Sequence, residues 1–277
     1  MLNLFEIATN NAPELDDRFS ALSSTASPGL GSSLRKFSEL VRHHGRVTIN
    51  MRPMSFLSFL VNGCHQNMYE WAQSRAAESG RPVEEIIQER LGDFYGNRTS
   101  FDRSFVNGEA FRYGALNVGG PGVSVYGDYC IVVRNLLFEA THASAYLRSD
   151  SLKTYMRVDG TLDEPLLLKE TSPHSHRHVF AGLKHASDLG SAAEEQWPVL
   201  LCSKTEFIEV VFSSELKLSG IEAVRLEANL YRELFEFGFE NFRVKLTDER
   251  RFVFEAFVMI KKILRENKIP LEVAKSA

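Results

Sequence analysis

The sequence predicts an α+β domain, on three observations. Strand-like runs concentrate in the middle and late chain, and segments with an apolar stripe at helical spacing flank them. The 277 residues are 44% hydrophobic and 25% charged, enough apolar material for one sizeable core. No internal repeat interrupts that reading. Residues 33–277 read as a single domain ending in a C-terminal helix. Residues 1–32 run into the Ser/Gly/Pro-rich SSTASPGLGSS and read as a flexible lead-in or lid.

Taken in order, Ser33 reads as an N-cap, with Leu34, Phe37, Leu40 and Val41 on one helical face and Gly45 as the stop. RVTINMRP (46–53) alternates Val47, Ile49 and Met51 with Thr48, Asn50 and Arg52, a strand with one polar and one apolar face, closed by Pro53. Helices are predicted over 66–78 and 82–91, the second opened by Pro82 and stopped by Gly92. The stretch from Tyr95 to Val133 is rich in Gly, Asn, Arg and aromatics and has no sustained helical period. Long irregular segments inside a compact domain are usually functional or disordered, and this one ends in a strand, VSVYGDYCIVV (123–133), so it reads as the floor of a binding site. A short helix is predicted over Thr141–Leu147, β runs over Pro198–Ser203 and Phe207–Ser213, and a helix carrying Leu226, Leu230, Leu234 and Phe237. A final strand over 239–246 and a helix capped by Thr247, with Val253, Phe257, Ile260 and Leu264 buried, complete the chain.

Net charge is −4 and the sequence pI about 6.1, so no global field draws the chain to nucleic acid or an anionic membrane. Two basic strips, Arg35, Lys36, Arg42 and Arg46, and Lys261, Lys262 and Arg265, could still contact a nucleic acid locally. Cys64, Cys130 and Cys202 are far apart and form no CxxC pair, which argues against a zinc ribbon or disulfide framework and for a reducing compartment. The N-terminus lacks a basic region followed by an apolar run, and no segment is long and apolar enough to span a bilayer, so the expectation is a cytoplasmic protein with no membrane association. P-loop, Rossmann, GxSxG and HExxH patterns are absent. PHSHRH (173–178) would place three histidines on one face only if it were a strand. An exposed polar loop is the simpler reading, and no metal is expected. In TEFIEVVF, Glu209 shares a strand face with Val211, where a carboxylate is costly without a partner or a task. Pattern alone favours an edge strand with its polar face in water.

Three separated segments carry a resemblance: RVTINMRP (46–53); NRTSFDRSFVNG, YGALN and YGDYCIVV within 97–133; and FIEVVFSSELKLSGIEAV (207–224). Together they resemble a bacterial family similar to ADP-ribosyltransferase toxins, and among those the toxins of toxin–antitoxin–chaperone phage-defence systems, which modify RNA. The resemblance implies a core of two small packed antiparallel sheets with flanking helices, and NAD as co-substrate. It also implies an RNA, DNA or protein acceptor and a protein antitoxin as partner. It implies Glu209 as the carboxylate that stabilises the oxocarbenium-like transition state, with Glu206 as the alternative. Asn50, Arg52, Arg98, Ser100, Phe101, Ser104, Asn107 and Tyr113 are the implied NAD-binding residues, with Tyr126 a further aromatic candidate. Two departures stand out: the family usually has His at the position of Asn50, and its residues after the glutamate are often polar where this chain has Val210, Val211 and Phe212. They leave open a non-catalytic interaction protein that keeps the fold and binds a partner through residues 95–133.

Overall fold

A computed structural model describes residues 1–139, 144–203, 205–240 and 247–274; at 239 and 240 only the backbone is described. The chain opens with helices α1 (Leu4–Asn10), α2 (Ala12–Thr25) and α3 (Pro28–His44). Strand β1 (Arg46–Met51) follows, then α4 (Pro53–Asn62), α5 (Met68–Ser79), α6 (Val83–Leu91) and α7 (Tyr95–Arg103). Next come β2 (Arg112–Asn117), β3 (Tyr129–Val133), α8 (Leu136–Glu139), β4 (Ser144–Leu147), α9 (Ser151–Thr154), α10 (Glu164–Lys169) and β5 (Thr171–Pro173). The last part holds α11 (Arg177–Leu189), α12 (Trp197–Leu201), β6 (Glu209–Phe212), β7 (Ile221–Glu227), α13 (Ala228–Glu240), α14 (Asp248–Glu266) and β8 (Leu271–Ala274). The fold class is α+β. Among the described residues no helix is long and apolar enough to cross a membrane.

The described strands form one sheet in the order β5-β4-β6-β2-β1-β3-β7-β8, where the resemblance implies two. Continuous pairing explains the difference. β1 pairs with both β2 and β3, and β6 with both β2 and β4, so no strand is left at a gap. All neighbours are antiparallel except β7 and β8. Period-two alternation divides the side chains between the two faces. On one face Val47, Ile49, Leu116, Ile131, Tyr146, Val210 and Phe212 join the main core with α3, α4, α11 and α14. On the other, Ala145, Leu147 and Val211 pack with Phe101, Phe105, Phe111, Leu4 and Tyr155. That second face also carries Thr48, Asn50, Tyr113, Ala115 and Glu209, with Thr48 opposite Ala115 and Ala115 opposite Glu209 in the register.

Several expectations are corrected. Residues 1–32 are three helices rather than a flexible lead-in: Ser27 caps α3 ahead of Pro28, and Leu4, Ala8 and Leu15 are buried. Asn11 ties the α1–α2 junction to Lys169 and Thr171 carbonyls at 3.2 and 2.6 Å. Inside 95–133, α7 is helical. Its buried face is Thr99, Phe101 and Asp102, so polar residues hide the 3.6-residue period. Strand β3 begins only at Tyr129, after a short 3-10 turn over Ser124–Tyr126. Pro53 closes β1 by starting a helix, as suits a first-turn proline. Ser144–Leu147 is a strand paired with β6 rather than a helix, and 141–143 lie outside the described residues. Around Pro198 a short helix replaces the expected β run, and Leu226 lies on β7 rather than on the helix that follows. The expected strand over 239–246 falls partly on α13 and otherwise, at 241–246, outside the described residues.

The packing of the N-terminal helices has a measurable consequence. Leu15 is 0% exposed and lies in the main core. Leu15→Ala is expected to destabilise the protein by about 2–4 kcal/mol in chemical denaturation. A lead-in detached from the core would give no change.

Candidate functional site

The second sheet face floors a cavity of about 620 Å³, whose walls include α7, the loop before β3 and the start of α9. A volume in this range suits a drug-sized ligand or cofactor. Thr48, Asn50, Tyr113, Ala115 and Glu209 line it from the sheet, Arg98 from α7, Lys153 from α9, and Val123, Tyr126 and Asp150 from the surrounding segments.

Glu209 opens β6, an interior strand between β2 and β4, and is 6% exposed. The edge-strand reading is therefore wrong, because the neighbours at Ala115 and Leu147 leave no solvated edge. Its Oε2 accepts the Ser151 N–H at 2.8 Å. Burial pushes its pKa up to about 7. The Arg98 charge opposes that rise, Asp150 adds to it, and the Ser151 hydrogen bond opposes it again.

Arg98 is placed by helical spacing, with Phe101 and Asp102 three and four residues on. Phe101 anchors α7 in the apolar cluster, which turns Arg98 toward the cavity. Arg98 Nη2 donates to Ser151 Oγ at 3.3 Å, Nη1 lies 3.6 Å from Asp102 Oδ1, and the guanidinium stacks 3.8 Å over the Tyr113 ring. Burial works against its charge. Tyr113, Glu209 and Asp102 outweigh burial and hold its pKa above the ordinary value. Asp102 itself accepts from the hydroxyls of Tyr113 and, at 3.0 Å, Tyr69. Burial still raises the Asp102 pKa despite Arg98 beside it.

Asn50 lines the cavity but spends its amide on the Gly-rich loop. Nδ2 donates to the Pro121 and Gly127 carbonyls at 3.0 and 2.9 Å, and Oδ1 accepts the Val123 N–H at 2.9 Å. The loop lies so close that a Cβ on Gly122 (φ +73°) would sit 2.1 Å from Asn50 Oδ1. Asn117 grips the same loop at Gly120 in both directions.

The structure thus gathers Glu209, Arg98, Tyr113 and Asn50 around one cavity. Of the other expected residues, Tyr126 lines the same cavity and the rest lie elsewhere. Arg52 is exposed at the N-terminus of α4. Ser100 and Ser104 are joined within one turn by Ser104 Oγ donating to the Ser100 carbonyl at 2.8 Å. Phe101 is fully buried in the apolar cluster. Asn107 adopts the left-handed conformation (φ +56°) that turns the chain after α7. Gly108 then passes so close that a Cβ there would meet the Asp102 carbonyl oxygen at 1.8 Å. Glu206 lies outside the cavity and is two-thirds exposed. The histidines of PHSHRH sit on a short 3-10 turn and the start of α11. His174 meets the Tyr146 hydroxyl at 2.8 Å and His178 meets Arg42. Burial, with Arg177 beside it, lowers the His174 pKa to about 3, and burial with Arg42 lowers that of His178 to about 4. Among the described residues no His/Cys/Asp/Glu group is arranged to hold a metal.

Sequence reasoning missed Ser151, Asp150, Asp102 and Tyr69. The Asp150-Ser151 step carries an N-cap signal, since Asp150 accepts the Leu152 N–H at 3.0 Å, but nothing in the sequence pairs it with Glu209. No known family model matches the chain, and no curated protein matches it.

Two tests follow from this geometry. Native Glu209 holds a proton between about pH 4.5 and 7 that the unfolded chain has released. Its contribution to stability is therefore full below about pH 4.5 and is lost as pH rises through 7. Glu209→Gln is expected to match the wild type near pH 4.5 and to exceed it by roughly 3 kcal/mol at pH 8, at 1.36 kcal/mol per pKa unit. Urea titrations at the two pH values measure this. Asn50→Ala removes three hydrogen bonds at a half-buried site and is expected to cost about 2 kcal/mol.

Proposed function

We propose that the cavity binds NAD and that the chain transfers ADP-ribose. The observation that carries this reading is the buried Glu209 carboxylate in the floor of a cavity, with the Arg98 cation and the Tyr113 ring beside it. A strongly perturbed carboxylate in a cleft marks a site built for chemistry. In the reaction the bond between nicotinamide and ribose breaks, nicotinamide leaves with the electron pair, and an acceptor nucleophile attacks the ribose carbon and loses a proton. Ionised Glu209 stabilises the positive charge that develops on the ribose and accepts a ribose hydroxyl, while Ser151 N–H fixes the carboxylate through Oε2. Arg98 keeps Glu209 ionisable in its buried setting. Tyr113 and Tyr126 offer aromatic surface to the nicotinamide. Asn50 serves by holding the loop wall.

On this proposal the protein is a cytoplasmic toxin or anti-phage effector, restrained by a protein antitoxin, with RNA, DNA or protein as acceptor. The resemblance of RVTINMRP, YGALN and the Glu209 strand supports that setting. One observation favours the rival, a non-catalytic binding protein. Phe94, Val125 and Tyr126, at the cavity mouth, are each more than half exposed, as a docking surface would be.

Incubation with labelled NAD and mixed RNA, DNA and protein separates the two readings. Label transfer is expected, with a loss of roughly 10²–10³-fold in Glu209→Gln. Transfer is also expected to fall as pH drops below about 7, because the ionised carboxylate is the active form. Intact NAD with no label transferred would overturn the enzymatic reading. A thermal shift with a partner protein and none with NAD would favour the rival.

A further inference from the structure

Lys184 is a buried cation that the proposed reaction does not use. It sits on α11, whose Val179, Phe180, Ala181 and Leu189 belong to the main core, and its side chain is only 7% exposed. Its ammonium donates to the Arg148 carbonyl at 2.6 Å and the Phe207 carbonyl at 2.8 Å, and it pairs with Glu206 at 3.4 Å. Burial works against this charge and lowers its pKa, while Glu206 counters.

The two carbonyls mark where the sheet comes apart. The β4–β6 ladder reaches Leu147 and Glu209 and ends there. Beyond that point Arg148 runs out of β4 toward the turn before α9, and Phe207 leads into β6. Ser151, whose N–H holds Glu209, is three residues past Arg148, and Glu209 is two past Phe207. The Arg148 N–H is already engaged by the Tyr155 hydroxyl at 2.9 Å. Lys184 therefore spans the two segments at the frayed end of the ladder and references both to a helix fixed in the core.

We infer that Lys184 is a positioning residue that holds the Ser151 turn against Glu209 by clamping the Arg148 and Phe207 carbonyls. A neutral side chain of the same length would fill the space and leave two carbonyls without their shared donor. The turn would then drift from the carboxylate, leaving the rest of the sheet in place.

The test is amide hydrogen exchange by NMR on the full chain without NAD, comparing wild type with Lys184→Met. The expected result is at least a tenfold loss of protection at the Ser151 amide, with protection at Thr48 and Val132 in the central strands unchanged. Should Lys184→Met fail to fold, Lys184→Gln decides by the same criterion. Ser151 protection that is unchanged, or that falls only in step with the central strands, would overturn the inference. A second readout rests on the transferase reading: label transfer from NAD is expected to fall in kcat with KM for NAD little changed, and a fall in KM affinity alone counts against the positioning role. Exchange is read without NAD, so a selective loss at Ser151 in a protein that transfers nothing sustains the clamp and removes only the transferase reading.

Discussion

The site depends on one constraint, a carboxylate buried in the interior of the sheet. Glu209 sits on an interior strand, flanked by Ala115 and Leu147, and faces a cavity rather than solvent. An isolated carboxylate there would simply remain protonated. The neighbouring Arg98 and the Ser151 N–H counteract that tendency without cancelling it, and the group titrates near neutrality. Two walls of the cavity are set by these contacts, since α7 delivers Arg98 and the turn before α9 delivers Ser151.

Around this group the polar contacts are arranged in layers. Arg98 is bracketed by the Tyr113 ring and Asp102, and Asp102 is held by Tyr69 from α5. Helix α5 is itself tied to β2, because buried Arg112 meets both Glu70 oxygens at 2.8 Å. On the other side Asn50 and Asn117 fasten the Gly-rich loop, with Gly122 and Gly127 in backbone conformations and close approaches that a side chain would block. The stretch from Tyr95 to Val133 thus supplies a helix wall and a loop wall, while the carboxylate arrives from a strand about eighty residues later in the chain.

The α+β class, the polar-and-apolar alternation of β1 and the stripes of α3 and α14 were legible because each depends on local periodicity. That Glu209, Arg98, Tyr113 and Asn50 would share a site was an expectation drawn from the segment resemblance, and the four side chains do line one cavity. What failed depended on distant contacts. Helix α7 buries Thr99 and Asp102, polar residues that mask its period, and the helices of 1–32 are ordered by burying Leu4, Ala8 and Leu15. Glu209 looked like an edge residue because its strand neighbours, β2 and β4, lie far away in the chain. Phe101, Ser104 and Asn107 belong to the most distinctive motif yet do not face the cavity: Phe101 packs in the apolar cluster, Ser104 bonds back to Ser100, and Asn107 turns the chain after α7.

The most direct test of this account is a site-resolved titration of the Glu209 carboxyl by carbon-13 NMR in the folded protein. A midpoint near pH 7, moving upward when Arg98 is replaced by methionine, is the result expected of a buried carboxylate held against its cation. A midpoint near the ordinary 4.5, unmoved by that replacement, would show a solvated side chain and would contradict the site as described.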